Sequence, residues 1–311
     1  MTSEKNKALI ASLSQFIPLV LLRSGQKYPP FLPFYHVVND TVAEYINSYE
    51  VRSTTNFRKE LDYLLKHFLP VDLKTIVNKP QKNMMHLSFD DGLKECYTTI
   101  APILKEKGIP ATFFVSPGFV DNKSLFHRFK RAILEERGIL TKSRRKFFIH
   151  EASELDELAK NNNISFAQYL NDHQPYMSLS EIKELQADGF TIGAHSIDHA
   201  EFWLLPYSEQ FRQIEESMNW MVSNINPDIK AFSFPFTDDG ISKALFEEVK
   251  AKKLVDVCFG TAGLKYDTIP FNLQRIPVER KQNWDVRKVV HFEYFYYFAR
   301  SIAGKNKVNR Q

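Results

Sequence analysis

Strand-like and helix-like patterns of apolar residues alternate along most of the chain. Short apolar runs typical of buried strands lie at residues 30–38, 86–89, 111–116, 190–193, 231–236, 254–259 and 272–278. Between several of these runs, apolar residues recur every three or four positions, as Phe57, Leu61 and Leu64 do within a helix predicted at 57–67. This alternation predicts a parallel sheet covered by helices, which is the α/β class.

The lengths of the repeated units favour a β/α barrel or a close variant. The clearest unit lies at residues 86–116, where two apolar strands enclose a helix that stops at Gly108. In β/α barrels the catalytic side chains lie at the carboxyl ends of the strands. The predicted strand ends hold Asp90, Asp91, His195 and Phe236.

The pattern divides the chain into three predicted parts. Residues 1–30 form an N-terminal helical segment, residues 31–280 the β/α barrel, and residues 281–311 a C-terminal helix rich in aromatic and basic residues. Residues from about 121 to 175 contain helical stretches and no obvious strand. We therefore predict a helical insertion in the barrel, beside the candidate site.

The composition is that of a folded protein with no nucleic-acid partner. Of 311 residues, 43% are apolar and 25% are charged, which argues against disorder. The formal net charge of +4 is too small to indicate binding to nucleic acid. The two cysteines, Cys96 and Cys258, make no disulfide framework and are compatible with a reducing compartment.

The apolar stretch at residues 8–22 bears on where the protein resides. It is interrupted by Ser12, Ser14, Gln15 and Pro18, is too short to cross a bilayer, and precedes a poor site for signal-peptide cleavage. We therefore expect a cytoplasmic protein whose N-terminal helix lies on the protein body or on a membrane.

Two segments have a strong excess of basic residues. Residues 123–146 contain nine Lys and Arg against two acids, and residues 280–310 contain eight against two. Such runs form a solvated face or attract phosphates on a substrate or a membrane surface. The second run overlaps the aromatic residues Phe292, Tyr294, Phe295, Tyr296, Tyr297 and Phe298. These either pack on the barrel or hold the protein against an anionic membrane, so peripheral membrane association is one of two interpretations.

Adjacent carboxylates, Asp90 and Asp91, stand at a predicted strand end before Gly92. Neighbouring strand residues point to opposite faces, so one could bind a metal while the other acts as a base on water. An Asp at this position could instead cap the following helix and complement the helix dipole. The pair alone leaves both interpretations open.

His195 and His199 are four positions apart, close enough to bind one ion, although such a pair is often polar surface. The spacing matches that of the H-E-x-x-H metalloproteases, but Ser196 stands where their catalytic Glu is required. That class is therefore excluded. A base must come from elsewhere, and Asp90 is the available candidate.

Together, one Asp and two His make a three-ligand site with positions open for water and substrate. Two imidazoles and a carboxylate suit Zn²⁺ best, while Co²⁺, Ni²⁺ and Fe²⁺ could also fit. Such an ion polarises an acyl carbonyl and lowers the pKa of its water, which allows hydrolysis near neutral pH.

Three motifs, in their order along the chain, resemble those of a known family. They are His86-Leu-Ser-Phe-Asp-Asp-Gly92, His195-Ser-x-x-His199 and Phe232-Ser-Phe-Pro-Phe236. Over residues 33–280 the chain resembles the polysaccharide deacetylase family (NodB homology domain, carbohydrate esterase family 4). The resemblance implies a deformed β/α barrel of the NodB type. It also implies metal binding by Asp91, His195 and His199, a general base in Asp90, and a sugar pocket walled by Pro235 and Phe236.

The chain departs from this family pattern in two places. The third family motif often carries an Arg that orients the base, whereas Ala231, Phe232 and Ser233 occupy that stretch here. Arg275 either takes that role from a neighbouring strand or is an ordinary surface or ion-pair residue. The family's last motif usually ends in a His that acts as general acid. His291 is in a helical aromatic stretch and is read as a packed or surface residue, so the acid stays unassigned.

The sequence therefore predicts a metal-dependent hydrolase that removes an N-acyl group, with acetyl expected, from an amino sugar. The predicted partner is an N-acetylated sugar or glycan, either a polymer or a precursor. Two alternatives stay open. One is a catalytically inactive carbohydrate-binding member of the same fold, which the missing Arg and acid suggest. The other is an O-acetyl esterase.

Overall fold

The computed structural model describes residues 4–24, 27–47, 49–141, 148–280 and 284–311. The helices are α1 (Glu4–Ser14), α2 (Leu19–Arg23), α3 (Thr54–His67), α4 (Leu73–Asn78), α5 (Ala101–Glu106), α6 (His127–Glu136), α7 (Ala152–Asn161), α8 (Phe166–His173), α9 (Leu179–Ala187), α10 (Tyr207–Asn224), α11 (Lys243–Ala251) and α12 (Val286–Ile302). Residues 142–146 of the first basic run and Lys281 of the second lie outside the described residues.

The strands are short, and most of them are buried. They are β1 (Pro33–Tyr35), β2 (Leu69–Pro70), β3 (Met84–Met85), β4 (Leu87–Phe89), β5 (Ala111–Val115), β6 (Thr191–Ala194), β7 (Ala231–Ser233), β8 (Val257–Gly260), β9 (Tyr266–Asp267), β10 (Asn272–Gln274), β11 (Ile276–Pro277) and β12 (Lys307–Val308). Strands β2 and β3 form one small parallel pair, and β9 and β12 form another.

The main sheet has eight parallel strands in the order β10-β8-β7-β6-β5-β4-β1-β11. Its two end strands, β10 and β11, are consecutive parts of one extended segment that is interrupted at Arg275. This segment pairs with β8 on one side and with β1 on the other, so the sheet nearly closes on itself. The nearly closed barrel with surrounding helices confirms the predicted deformed β/α barrel.

Successive side chains of β5 pack on opposite faces of the sheet. Phe114 lies 5.4 Å from the ring of Phe259 and 5.2 Å from the guanidinium carbon of Arg275. Phe113 instead packs on Phe190, in the large apolar cluster that includes side chains of the surrounding helices. Burial of each such side chain contributes about 1.5–3 kcal/mol to folding. The barrel therefore has packed apolar layers on both faces of its wall.

Helices α6, α7 and α8 lie between β5 and α9, beside the strand ends. Nε2 of His127 in α6 is 3.1 Å from Oε1 of buried Glu201, which follows β6 in the chain. The backbone N–H of Ile149 donates to Oε2 of the same Glu201 at 3.1 Å. Because one buried carboxylate binds both segments, the helical region is fixed against the loop that contains His199.

The C-terminal helix α12 packs against α1, α2 and α3. Phe292, Tyr294 and Tyr297 are buried there, whereas Phe298 is 40% exposed. His291 is also buried, with Nδ1 3.1 Å from the carbonyl oxygen of Ser14. Among the described residues, every helix is too short or too polar to cross a membrane.

Candidate active site

The candidate residues identified from the sequence lie directly after strands β4 and β6. Asp90 and Asp91 directly follow β4, and His195 directly follows β6. Asp91, Ser196 and His199 have left-handed backbone conformations, with φ angles of 72°, 61° and 61°. Such conformations are uncommon outside glycine. They bend the chain sharply after each strand, and the buried side chains of Asp91, His195 and His199 meet there.

Asp91, His195 and His199 form one compact group. Oδ1 of Asp91 lies 3.0 Å from Nε2 of His199 and 3.5 Å from Nε2 of His195. One ligand atom from each residue lies within 4.8 Å of the others, as expected for atoms about 2 Å from a shared ion. Burial acts to raise the pKa of Asp91, but the neighbouring His199 outweighs it and holds that pKa below its ordinary range.

Hydrogen bonds around this group leave ligand atoms of Asp91 and His195 available for a metal. Nδ1 of His195 donates to the carbonyl oxygen of Ser233 at 2.8 Å, which leaves the lone pair of Nε2 facing the group. Tyr49 donates its hydroxyl to Oδ2 of Asp91 at 2.5 Å, while Oδ1 is buried and forms no hydrogen bond in the described structure. Burial lowers the pKa of His195 to about 4, so its ring is neutral and able to bind a metal at pH 7. The donor set fits a divalent transition metal.

Asp90 is bound by the buried guanidinium of Arg275. Nη1 and Nη2 donate to its two carboxylate oxygens at 2.7 and 2.8 Å, and also to the hydroxyls of Ser88 and Ser233. Arg275 is 1% exposed, so the interpretation of it as a surface residue is wrong. Burial raises the pKa of Asp90, but Arg275 and His195 more than offset this, and the carboxylate stays ionised. Its Oδ2 lies 3.8 Å from Nε2 of His195.

A second charged pair lies in the same site and was missed from the sequence. Nδ1 of His36, directly after β1, lies 2.6 Å from Oε2 of Glu279. Burial lowers the pKa of His36, but Glu279 outweighs it and the pKa is raised to about 9. His36 is therefore protonated at neutral pH. Its position at a strand end, at the same edge of the sheet as Asp90, is the signal that could have identified it.

The segment after β7 brings one of the two predicted wall residues to the site. Phe236 has a φ angle of 59°, and its ring lies 4.4 Å from that of His199. Trp203 lies behind it, with ring centroids 5.7 Å apart. Pro235 is buried in the preceding turn, where its carbonyl oxygen accepts from the backbone N–H of Thr237 at 2.6 Å, and it does not line the cavity. The structure therefore does not support Pro235 as a wall of the sugar pocket. Instead, Pro235 shapes the turn that orients Phe236.

The candidate base, the three candidate ligands, His36 and Phe236 line one cavity of about 510 Å³. This volume is within the range of small-molecule sites. Helix α6 contributes Arg128, Arg131 and Glu135 to the lining. The cavity thus combines an ionised carboxylate, a group suited to a metal, and a protonated imidazole, which together can catalyse hydrolysis.

Comparison with models of known families identifies a match over more than half of the chain. A family model described as polysaccharide deacetylase matches residues 77–254. No curated protein matches the chain. The matched region contains both the Asp90–Asp91 pair and the two histidines of the candidate metal group.

Several solved structures share the fold. The Streptococcus pyogenes deacetylase PplD, in complex with acetate, is 15% identical, with a TM-score of 0.57 over 86% of this chain and 99% of that one. IcaB from Ammonifex degensii is 18% identical, with a TM-score of 0.56 over 86% and 98% of the two chains. A de-N-acetylase from Aggregatibacter actinomycetemcomitans is 14% identical, with a TM-score of 0.56 over 84% and 99%. At these identities the likeness shows the fold alone.

Proposed function

The chain belongs to the polysaccharide deacetylase family of hydrolases, and from this premise we propose that it removes an N-acetyl group from an amino sugar by metal-dependent hydrolysis. The substrate would be a glycan or a glycan precursor. One observation carries the proposal: ionised Asp90, protonated His36 and the group of Asp91, His195 and His199 share a single cavity. An amide bond requires both a base and an acid for hydrolysis near neutral pH.

Asp91, His195 and His199 would hold the metal. Zn²⁺ suits their donor atoms best, and Co²⁺, Ni²⁺ or Fe²⁺ are alternatives. When bound, the metal supplies an electrophile for the acyl oxygen and lowers the pKa of water. The hydrogen bond from His195 to Ser233 and the one from Tyr49 to Asp91 keep the ligand side chains in place.

Asp90 is the proposed general base. Its carboxylate accepts a proton from the water whose oxygen attacks the carbonyl carbon of the acetyl group. Arg275 binds both of its oxygens, which restricts rotation of the carboxylate and keeps it ionised before the reaction. The distance of 3.8 Å from its Oδ2 to Nε2 of His195 supports a role for this base beside the candidate metal group.

His36 is the proposed general acid. Because Nδ1 is bound to Glu279, Nε2 is the nitrogen left to donate. As the carbon–nitrogen bond breaks, the proton of His36 passes to the amine nitrogen, which would otherwise leave as an unstable anion. The products are acetate and the free amino sugar. Glu279 favours the protonated ring until the transfer takes place.

The two alternative functions have less support. The missing motif Arg and the missing acid were the reasons to consider an inactive binding protein, and Arg275 and the His36–Glu279 pair are candidates for both roles. An O-acetyl esterase would use the same base. However, an alcohol leaves more readily than an amine, so a protonated His36 beside the site favours the amide substrate.

We also propose peripheral contact with a membrane through α1 and α2. The large exposed apolar side chains of these helices and of the turn between them are Leu9, Leu13, Phe16, Val20 and Leu21. Arg287 donates to the carbonyl oxygen of Gln15 at 3.4 Å, so a positive charge lies beside this apolar surface. Apolar side chains flanked by basic residues favour the interface of an anionic bilayer.

Acetate release tests the proposed reaction. The Zn²⁺-loaded enzyme would be incubated with N-acetylated chitooligosaccharides and peptidoglycan fragments, and with O-acetylated sugars in parallel. We expect release from an amide substrate, and its loss in Asp90→Asn with the metal content retained. Full activity of Asp90→Asn would contradict the assigned base. Release only from the O-acetylated sugars would identify an esterase, and no release from any substrate would support the inactive binding protein.

A further inference from the structure

Arg128 of α6 is a cation in the cavity without an acidic partner. Its guanidinium carbon lies 3.8 Å from the centre of the Phe236 ring. Within the described residues, no carboxylate lies within 4.0 Å of it, although Glu50 lines the same cavity. Arg131, one turn further along the helix, is bound by Glu135 at 2.7 Å. The two arginines therefore carry the same charge and line the same cavity, but in the described structure only Arg131 is bound by a carboxylate.

Two carboxylates that act on the charge of Arg128, Glu201 and Asp91, already have other partners. Asp91 accepts from Tyr49 and lies beside the two histidines, and Glu201 is bound to His127 and to a backbone N–H. Burial opposes the charge on Arg128, and it lowers the pKa of that side chain. A partly desolvated guanidinium without an acid is unfavourable unless a ligand supplies the counter-charge.

The chemistry of a guanidinium limits what this ligand can be. Its planar set of N–H donors matches the two oxygens of a carboxylate or a phosphate. The contact with the Phe236 ring holds the guanidinium at the edge of the predicted sugar pocket. An oxyanion bound there would lie close to a sugar ring that contacts the same aromatic side chain.

We propose that Arg128 binds an anionic group, a phosphate or a carboxylate, that the substrate glycan carries on or next to the acetylated sugar. This inference rests on the proposed deacetylation and narrows it to acidic glycans or sugar phosphates. A neutral polymer would leave the charge of Arg128 without a partner. The residue is therefore a determinant of specificity, and it takes no part in the transfer of protons.

Matched neutral and anionic substrates test this inference. The Zn²⁺-loaded enzyme would receive methyl N-acetylglucosaminide, N-acetylglucosamine 1-phosphate and N-acetylmuramic acid, and the galacto-configured counterparts of the first two. The ratio of kcat/KM for an anionic sugar to that for its neutral counterpart is the quantity compared. A charge-assisted hydrogen bond predicts a ratio of about 10 to 100 in the wild type. Comparison of the ratios for N-acetylglucosamine 1-phosphate and N-acetylmuramic acid identifies whether a phosphate or a carboxylate is preferred.

Two variants give the matched comparison. Arg128→Gln should reduce the ratio to about 1, because it removes the charge and the forked donors. Arg131→Gln removes the same charge from the same helix, but from a residue already bound to Glu135, and should keep most of the preference. Turnover of the neutral sugar by Arg128→Gln shows that this variant is folded.

The outcomes separate this inference from the proposed function. Acetate release at equal kcat/KM from neutral and anionic sugars would overturn the role of Arg128 and leave deacetylation intact. An equal loss of preference in both variants would also overturn it. If neither these sugars nor the chitooligosaccharides and peptidoglycan fragments release acetate, the proposed reaction fails. Calorimetric binding of the same sugars to wild type and Arg128→Gln then decides the inference, and equal affinities would overturn it.

Discussion

Arg275 binds Asp90 through two hydrogen bonds of 2.7 and 2.8 Å, although 185 residues separate them in the chain. Arg275 lies between β10 and β11, the two ends of the sheet order, and Asp90 follows β4. The orientation of the proposed base therefore depends on closure of the barrel. Removal of either partner would leave the other charge buried.

Loss of Arg275 is expected to affect stability and activity together. Arg275→Gln should destabilise the fold by about 3–5 kcal/mol, because the Asp90 carboxylate stays buried without its counter-charge. Chemical denaturation measures this change. In the wild type the pKa of Asp90 is lowered, so its carboxylate contributes stability above its ordinary pKa and loses it as the pH falls through the folded-state value.

The same variant should change the pH dependence of the reaction. Without Arg275, the pKa of Asp90 rises, and the acidic limb of kcat/KM moves to higher pH. Arg280→Gln is the control, because it removes an Arg–Glu pair outside the cavity. An acidic limb at the same pH in wild type and Arg275→Gln would argue against Asp90 as the base.

Glu279 is expected to set the alkaline limit of activity. Protonated His36 is required, so kcat/KM of the wild type should fall as the pH rises through about 9. In Glu279→Gln the favourable charge is lost, and this limb should move toward the ordinary histidine pKa of about 6.5 or below. Glu135→Gln, which removes a cavity carboxylate bound to Arg131, should leave the limb in place.

Direct removal of His36 separates its role in catalysis from one in folding. His36→Ala should lower kcat by about 10²–10⁴-fold on an N-acetyl sugar. It should lower turnover far less on an ester with a good leaving group, which needs no protonation. Equal losses on both substrates would contradict the assignment of His36 as the acid.

Metal binding should be measurable without turnover. Zn²⁺ at about 100 times its Kd should stabilise the wild type by about 2.7 kcal/mol, seen as a rise in Tm. His199→Ala should lose this response, whereas Asp90→Asn should keep it, because Asp90 is the proposed base. An equal rise in Tm for wild type and His199→Ala would show that the ion binds elsewhere.

Gly193 of β6 is expected to tolerate no side chain. A Cβ at this position would lie 2.5 Å from Cε1 of Phe114, in the interior of the barrel. Gly193→Ala should destabilise the protein by about 1–3 kcal/mol in chemical denaturation. Combining it with Phe114→Leu should restore part of the loss, since the smaller side chain makes room. A double variant less stable than the sum of the two single changes would contradict this explanation.

Vesicle binding tests the proposed membrane contact. The wild type should co-sediment with anionic vesicles at low salt, and less at high salt. Leu13→Asp and Phe16→Asp place charge on side chains that are 60% and 79% exposed, and each should reduce binding. Val222→Asp is the control at an exposed apolar position of α10. No sedimentation of the wild type at low salt would rule the contact out.

Much of the barrel could be predicted because its signals are local. Buried runs of residues predict strands, and the side chains that follow them lie at a common edge. This is why Asp90, Asp91, His195 and His199 could be grouped before any distance was known. The match of the family model and the order of the strands confirm the family and the fold.

The parts that could not be predicted depend on distant pairing or on fine geometry. His36 and Glu279 are 243 residues apart, and they meet only because β1 pairs with β11. No pattern within a window of sequence records that contact. At the third motif, strand β7 ends at Ser233 rather than at Phe236. The tight turn that follows directs Phe236 toward the cavity, whereas Pro235 does not line it.

The pairing of β1 with β11 also has a consequence for synthesis of the protein. A ribosome makes β1 long before β11, so one edge of β1 stays unpaired in the nascent barrel until the last strand segment emerges. Until then, the emerging chain holds its metal-binding side chains without Arg275 or Glu279. We therefore expect hydrolytic activity to appear late, in a single step that coincides with the pairing of β11 with β1. Because these contacts are so distant in the sequence, we expect that step to be slow.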